Sequence, residues 1–390
     1  MSIVHVAERF AILDEQKYFQ KVFEKKKVKM RAELFEITGK FMPDSQFEAI
    51  QRRGPTIGKK RCRPADEGSE SEIGWIQKVG VEVKREGTSC GYFRKTEKTD
   101  NNKKAREAAK EVLDGFKNSL TREFHSDGEL NKLLELQWVS RNSEDVAKGS
   151  WDEVALKGKQ SSWLKFSMAG GVGTLLDDTD SEDVTFYTPP DAVFHFGDVR
   201  DVDEYAKRQG ISFDLVIADP PWECRSVKRK KTYETSDTWH DGLHVDRFTS
   251  EDVLVCIWMT NRRGIERDLQ KTLETWHMER IADWKWLKVT NEGDPVFDFD
   301  NPRHKVPFET LVFATKKSSK KAFALPETFC FASVPMAVHS HKPPIFEILK
   351  HFGVEFNRPL ELFARNLLPG TTSVGYEPLL LQSEFVYTPE

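Results

Sequence analysis

The stretch "FDLVIADPPWECRSVKRKK" (Phe213–Lys231) decides the reading of this 390-residue chain. Phe213 to Ala218 is apolar except for Asp214, the pattern of a buried β-strand. The strand delivers Asp219 to its carboxyl end. Pro220 and Pro221 then fix their own backbone angles and keep Asp219 out of the helical region. They also remove two N–H donors. What remains is a stiff turn with bare carbonyl oxygens, one carboxylate and, at Trp222, a large flat ring. Arg225, Lys228, Arg229, Lys230 and Lys231 follow directly.

Working outward, short apolar runs recur from Asp191 onward: "AVFHFG", "VLVCIWMT", "ADWKWLKV", "ETLVFAT" and "LELFA". Charged segments of helical character separate them, such as "RRGIERDLQKTLETW" and "PPIFEILKHF". Strands alternating with helices imply an α/β fold, a parallel sheet covered on both faces. In such sheets ligands bind beyond the carboxyl ends of strands, where strand order reverses. Asp219 stands at such an end.

The first 150 residues read as a mainly helical accessory region. Phe10, Leu13 and Tyr18 set an apolar stripe against charge in one segment, and Ala108, Val112 and Phe116 do so in another. Between them, Gly, Pro, Ser and charge mark a disordered linker near 52–75. Within it, Lys59, Lys60, Arg61 and Arg63 form a basic patch that suits nuclear import or an ordinary loop. Residues 151–190 are a weakly patterned bridge, and 191–390 form the α/β domain. The glycine-rich "MAGGVGT" (Met168–Thr174) is not taken as a phosphate loop, because no buried strand precedes it and no helix follows.

Composition narrows the classes. There is no run of apolar residues long enough for a membrane-spanning helix. The five cysteines are scattered without a C-x-x-C pair, so thiols in a reducing compartment are expected and no metal site. His240 and His244 are interrupted by Asp241-Gly242, which breaks the helix a two-histidine metal motif needs. Net charge is −4, yet residues 1–63 carry 15 Lys/Arg against 8 Asp/Glu, and Arg225–Lys231 and Lys316–Lys321 are further clusters. A weakly acidic protein can still present basic strips to a phosphate chain. Solvated surface is the other reading of each cluster.

A turn offering two acceptors beside a flat ring suits a planar ring with an exocyclic amine. Asp219 and the Pro220 carbonyl each accept one N–H, and Trp222 stacks on the ring for about 1–3 kcal/mol. Adenine fits that description. A base taken from a stack must be swung out to reach such a pocket, and Arg225, Lys228–Lys231 and Tyr233 would then hold the flanking phosphates and base, with Trp239 in the same loop.

Asp219-Pro220-Pro221-Trp222 is similar to the D-P-P-W signature of the eukaryotic adenine-N6 methyltransferases, and within them to the methyltransferase-like-four branch. The supporting words are "ADPPWECRSVKRKKTY", "WMTNRRGIERDL", "WKWLKVTNEGDPVF", "HKPPIFEILKHF" and "LELFARNLLPG", so the resemblance covers roughly residues 190–385 in order. It implies a Rossmann-like fold using S-adenosylmethionine, with Asp219, Pro220, Pro221 and Trp222 as the catalytic unit. It places Asp198 and Val199 at the cofactor's adenine end, Lys342 at its carboxylate, and Arg365 and Asn366 at its ribose. The chain departs from the pattern after "LLPG", where Tyr376 stands in place of an asparagine that helps hold the cofactor. The resemblance implies adenosine in RNA, small nuclear RNA bearing a 2′-O-methyl group above all, with DNA adenine as the other substrate. No membrane, no metal and no obligate partner subunit are expected. A nuclear location is expected, with the cytoplasm left open.

Two alternatives stay open. One is an RNA-binding partner subunit with weak catalysis. The other is an amino-methyltransferase acting on another planar amine, such as cytosine or a glutamine side chain.

Overall fold

The computed structural model describes residues 2–41, 71–96, 101–121, 165–169, 172–176, 184–196, 198–222, 239–261, 264–299 and 305–390. In chain order the strands are β1 (Ile3–Val6), β2 (Phe10–Leu13), β3 (Val28–Met30), β4 (Lys165–Ala169), β5 (Val172–Leu176), β6 (Val184–Tyr187), β7 (Val193–Phe196) and β8 (Phe213–Ala218). They continue with β9 (Thr249–Met259), β10 (Met278–Lys288), β11 (Phe308–Lys316), β12 (Thr328–Ser333), β13 (Pro359–Leu362), β14 (Thr372–Gly375) and β15 (Tyr387–Pro389). The helices are α1 (Glu15–Phe23), α2 (Glu72–Ser89), α3 (Lys103–Thr121), α4 (Val202–Gln209), α5 (Ile265–Thr275) and α6 (Phe346–His351).

One sheet holds ten strands in the order β1-β2-β12-β10-β11-β9-β8-β13-β14-β7. Six of its nine pairings are parallel, as the alternation of strands and helices predicts. The exceptions have a local cause. β10 and β11 are joined without a helix among the described residues, so β11 returns antiparallel to β10 and to β9. β1 folds back on β2 in the same way.

Each central strand is buried on both faces, with alternate residues feeding separate cores. Leu215, Ile217, Cys256, Trp258, Leu311 and Phe313 face a core shared with α1, α3 and α6. Val216, Ala218, Val255, Ile257 and Val312 face the other, under α4 and α5. Beyond β10 the second face is completed by α2, through Ile76, Val79 and Val83 against Leu287, Cys330 and Ala332.

Among the described residues, the first 150 positions hold the helices α1, α2 and α3, of which α1 and α3 fall in the two segments read as helical, together with strands. Phe10 and Leu13 are strand residues of β2, which pairs with β12 inside the main sheet. Four consecutive buried apolar residues suit a strand covered on both sides better than a helix, and Asp14 then caps α1 by accepting from the Lys17 N–H at 2.9 Å. Only Tyr18 of the expected stripe lies on the helix. β3 pairs with the C-terminal β15. α2 begins at Glu72 behind the Ser71 cap, inside the expected linker. The patch at 59–63 lies outside the described residues. In the expected bridge, β4, β5 and β6 form a small antiparallel sheet.

Candidate active site

Sheet direction alone assembles the site. β7, β14, β13, β8 and β9 run parallel, so their carboxyl ends share one edge. β10, β12 and β2 point the same way, while the reversed β11 presents its amino end there. Asp219 after β8, Arg365 after β13, Tyr376 after β14, Asp198 after β7, Lys288 at the end of β10 and Glu309 at the start of β11 all meet this edge. The strand order reverses at β8, which lies between β9 and β13.

The charged groups form a connected chain. Arg365 Nη1 donates to Asp219 Oδ2 at 2.9 Å, and Lys342 Nζ lies 3.4 Å from Asp219 Oδ1. Lys342 also donates to Glu309 Oε2 at 2.7 Å, and Lys288 donates to Glu309 Oε1. At the other end, Arg365 Nε lies 3.4 Å from Glu377 Oε2. The Lys342 ammonium also sits 5.6 Å from the centre of the Trp258 ring. Burial favours loss of the Lys342 proton, but Asp219 and Glu309 outweigh it and hold the ammonium above its ordinary value. Burial likewise raises Glu309, yet Lys288 and Lys342 keep it well below the usual carboxylate range.

Backbone constraints deliver these groups. Ala364 N–H donates to the Val374 carbonyl at 2.9 Å, bringing the chain after β13 hard against β14. A Cβ on Gly375 would stand 2.9 Å from the Ala364 nitrogen, so only glycine admits this approach. Phe363 takes a φ of +61° at the bend, an uncommon conformation for a bulky residue. Arg365 is thereby turned back over Asp219.

Glu361 carries a different charge state. It pairs across β13 with Ile217, two residues before Asp219. Its Oε2 is buried without a hydrogen-bond partner among the described residues. Burial first, and the Asp219 charge second, push this carboxyl up to about 8, with Arg365 opposing. At neutral pH it is therefore mainly a neutral acid beside an ion-paired one.

Trp222 differs from its expected role as an open stacking face. The ring is 6% exposed, its Nε1 donates to the Trp258 carbonyl at 2.7 Å, and Trp239 meets it edge-on at 5.1 Å. The indole ties the Pro-Pro turn to β9, because a buried indole N–H must find an acceptor. Pro220 is only half available: its carbonyl already accepts the Trp222 N–H at 2.7 Å, leaving one lone pair. Trp239, expected in a substrate loop, is also core, packed against Trp276 and Phe363. The ring exposed at this edge is Tyr376, at 54%.

Asp198 caps a short turn after β7 by accepting from the Arg200 N–H at 2.9 Å and is paired with the Arg200 guanidinium. Burial opposes this, but Arg200 holds the carboxyl below its usual range. Val199 and Asn366 are buried. The structure thus brings Asp219, Lys342 and Arg365 into contact, and sets Asp198 and Val199 two strands further along the same edge. Arg225, Lys228, Arg229, Lys230, Lys231 and Tyr233 lie outside the described residues. Sequence reading missed Lys288, Glu309, Glu361 and Glu377. The available signal was charge inside apolar strands, as in "WKWLK" and "PLEL".

Residues 213–377 match the MT-A70 family. The chain is 45% identical to the "DNA N6-methyl methyltransferase" of Caenorhabditis elegans over 383 residues, 97% of this chain and 98% of that one. It is 34% identical to the human "N(6)-adenine-specific methyltransferase METTL4" over 208 residues, 50% of this chain and 44% of the relative. It is 32% identical to the "N6-methyladenosine RNA methyltransferase MTA1" of Pyricularia oryzae, over 52% of this chain and 58% of that one.

Proposed function

The chain belongs to the MT-A70 family, and from that membership we propose that it is an adenine-N6 methyltransferase acting on a polynucleotide, with S-adenosylmethionine as methyl donor. The observation that carries this reading is Asp219, held at the sheet's switch point by Arg365 and Lys342, beside a Glu361 carboxyl whose Oε2 has no partner among the described residues. DNA is the favoured substrate, because the relative matched over nearly the whole chain is named for it. RNA is the second reading, because the fungal relative is named for RNA. The 2′-O-methyladenosine of small nuclear RNA is the RNA target to test first.

The donor set fits the cofactor. A buried ammonium at Lys342 suits the methionine carboxylate. The Oε2 of Glu361, without a hydrogen-bond partner among the described residues, offers a polar contact to a hydroxyl at the same edge. Arg365 and Asn366 are assigned to the ribose, and Asp198 and Val199 to the adenine end. S-adenosylmethionine, when bound, supplies an electrophilic methyl group on a sulfonium.

The chain's own residues hold and aim the amine. A carboxylate offers about four acceptor positions. Asp219 therefore takes an N–H from the base while Arg365 stays in place. The remaining Pro220 lone pair takes the other N–H. Both contacts enrich and orient the nitrogen; as its bond to the methyl carbon forms, the carbon–sulfur bond would break with its electron pair leaving on the thioether, and the surplus N–H proton would pass through Asp219 to solvent. Orientation supplies most of the rate, and the Asp219 charge stabilises the positive charge developing on nitrogen. The neutral state of Glu361 prevents a second negative charge from crowding Asp219.

The test is methyl transfer from labelled cofactor to matched DNA and RNA oligomers, read as N6-methyladenine nucleosides by mass spectrometry. Asp219→Ala is expected to lower turnover by at least about 10³-fold, with calorimetry still showing cofactor binding. Full turnover by Asp219→Ala, or methylated cytosine or glutamine with unmodified adenine, overturns the reading. Cofactor binding without turnover in the wild type would favour a partner subunit.

A further inference from the structure

The cation that bridges Asp219 and Glu309 is carried by a loop that the amino-terminal helix holds from behind. Lys342 follows His341, whose side chain is 1% exposed, as is that of Glu15, the first residue of α1. Glu15 Oε2 lies 3.2 Å from His341 Nε2. The polarity of this contact is set by its neighbours. Trp286 Nε1 is only a donor, and it donates to Ser333 Oγ at 2.9 Å. The Ser333 hydroxyl in turn donates to Glu15 Oε1 at 2.5 Å. Glu15 is thereby fixed as an acceptor on one oxygen, with the other aimed at the imidazole. His341 Nδ1 is buried without a partner among the described residues. A bare lone pair costs less there than an orphaned N–H, so the ring proton sits on Nε2 and points at Glu15.

The loop needs holding. Ser340 has a φ of +66°, a conformation that persists only where its surroundings enforce it. Two contacts flank the strained residue: Arg365 Nη1 on the Ser340 carbonyl at 3.4 Å, and Glu15 on His341. Phe19, one turn along α1, packs at 6.0 Å from the imidazole. Lys342, two residues beyond the strained position, has the four bonds of its side chain to reach both carboxylates.

We propose that Glu15 is a positioning residue for Lys342, acting through the buried imidazole of His341, so that the amino-terminal segment completes the cofactor-binding edge of the methyltransferase sheet. This rests on the reading of Lys342 as the cation that receives the cofactor's carboxylate. Glu15 touches neither Lys342 nor the amine-binding carboxylate. Its effect is to select one loop conformation, and binding weakens by the fraction of molecules that leave it.

The experiment measures S-adenosylmethionine binding to the full chain by calorimetry, with melting temperature as a second readout, for Glu15→Ala, Glu15→Gln and Phe23→Leu. Phe23 lies on the same helix, buried against Tyr387, and its variant reports the effect of loosening α1 alone. Glu15→Ala is expected to weaken cofactor binding about tenfold, from loss of the charge-assisted hydrogen bond that holds His341. Glu15→Gln keeps an acceptor for the imidazole and recovers binding to within about threefold of wild type. Phe23→Leu lowers the melting temperature without a matching loss of affinity. If Glu15→Ala does not fold, Glu15→Asp takes its place, withdrawing the carboxylate by one methylene, with a smaller loss expected. Unchanged affinity in a folded Glu15 variant overturns the proposal, as does equal weakening by Phe23→Leu. Wild-type protein that binds no cofactor overturns the Lys342 assignment instead.

Discussion

Glu361→Gln isolates the electrostatic character of the site. Burial and Asp219 raise the Glu361 carboxyl from an ordinary 4.5 to about 8 in the folded chain. The unfolded chain releases this proton near the ordinary value, so between those limits the folded state binds more protons. The stabilisation is therefore complete below about 4.5 and is lost as pH rises through about 8. Each pH unit in the window is worth about 1.36 kcal/mol, so the full span has a ceiling of about 5 kcal/mol. Glutamine has the same shape and no titration. Its unpartnered amide adds a constant offset, so the slope carries the signal. The assay is urea unfolding of both proteins from pH 5 to 8. The variant is expected to gain on the wild type by about 3 kcal/mol across that range. In an Asp219→Asn background the window should move down, because a raising charge is removed. In an Arg365→Ala background it should move up. Parallel stability curves from pH 5 to 8 would refute the assignment of Glu361 as a neutral acid.

Other outcomes follow from the same geometry. Glu309→Gln leaves Lys288 and Lys342 short of a shared carboxylate and should cost about 3 kcal/mol at pH 7, the lower end of a broken buried pair because Lys342 keeps Asp219. Since Glu309 is held below its usual range, that difference should shrink as pH falls below the unfolded carboxyl value, which urea midpoints at pH 7 and pH 3.5 would show. Trp222→Phe removes the N–H that ties the turn to the Trp258 carbonyl. A loss of about 1–2 kcal/mol is expected, with kcat falling more than cofactor affinity, checked by melting and steady-state kinetics. Neutralising Lys228–Lys231 should raise the KM for oligonucleotide and flatten its dependence on salt, measured from 50 to 200 mM, by roughly one unit of logarithmic slope for each phosphate no longer neutralised.

The α/β class and the placement of Asp219 were legible because both rest on local signals. Five apolar residues in six positions and two prolines dictate a strand and its stop without help from the rest of the chain. β9, β10, β11 and β13 announced themselves in the same way. β2 did not, because "FAIL" beside a helix-forming segment reads as either element until β12 is known to lie alongside. β14 was hidden by its shortness and by Ser373 and Gly375. At the site, residue types were readable but pairings were not. Lys342 and Arg365 lie 123 and 146 positions from Asp219, and nothing local says that both reach the same carboxylate. Trp222 misled because an aromatic after a proline turn suggests exposure, whereas its N–H finds an acceptor only by turning inward.

The place of β2 also bears on how the molecule can be cut and how it comes to be. β2 is sewn beside a strand some three hundred positions further along the sequence, and β3 pairs with the still more distant β15. A fragment beginning near Asp191 would hold every strand of the family-matched segment yet leave β12 with a bare rim, an invitation to self-association. Closing such distant seams is slow, so refolding of the chain from denaturant is expected to be slow.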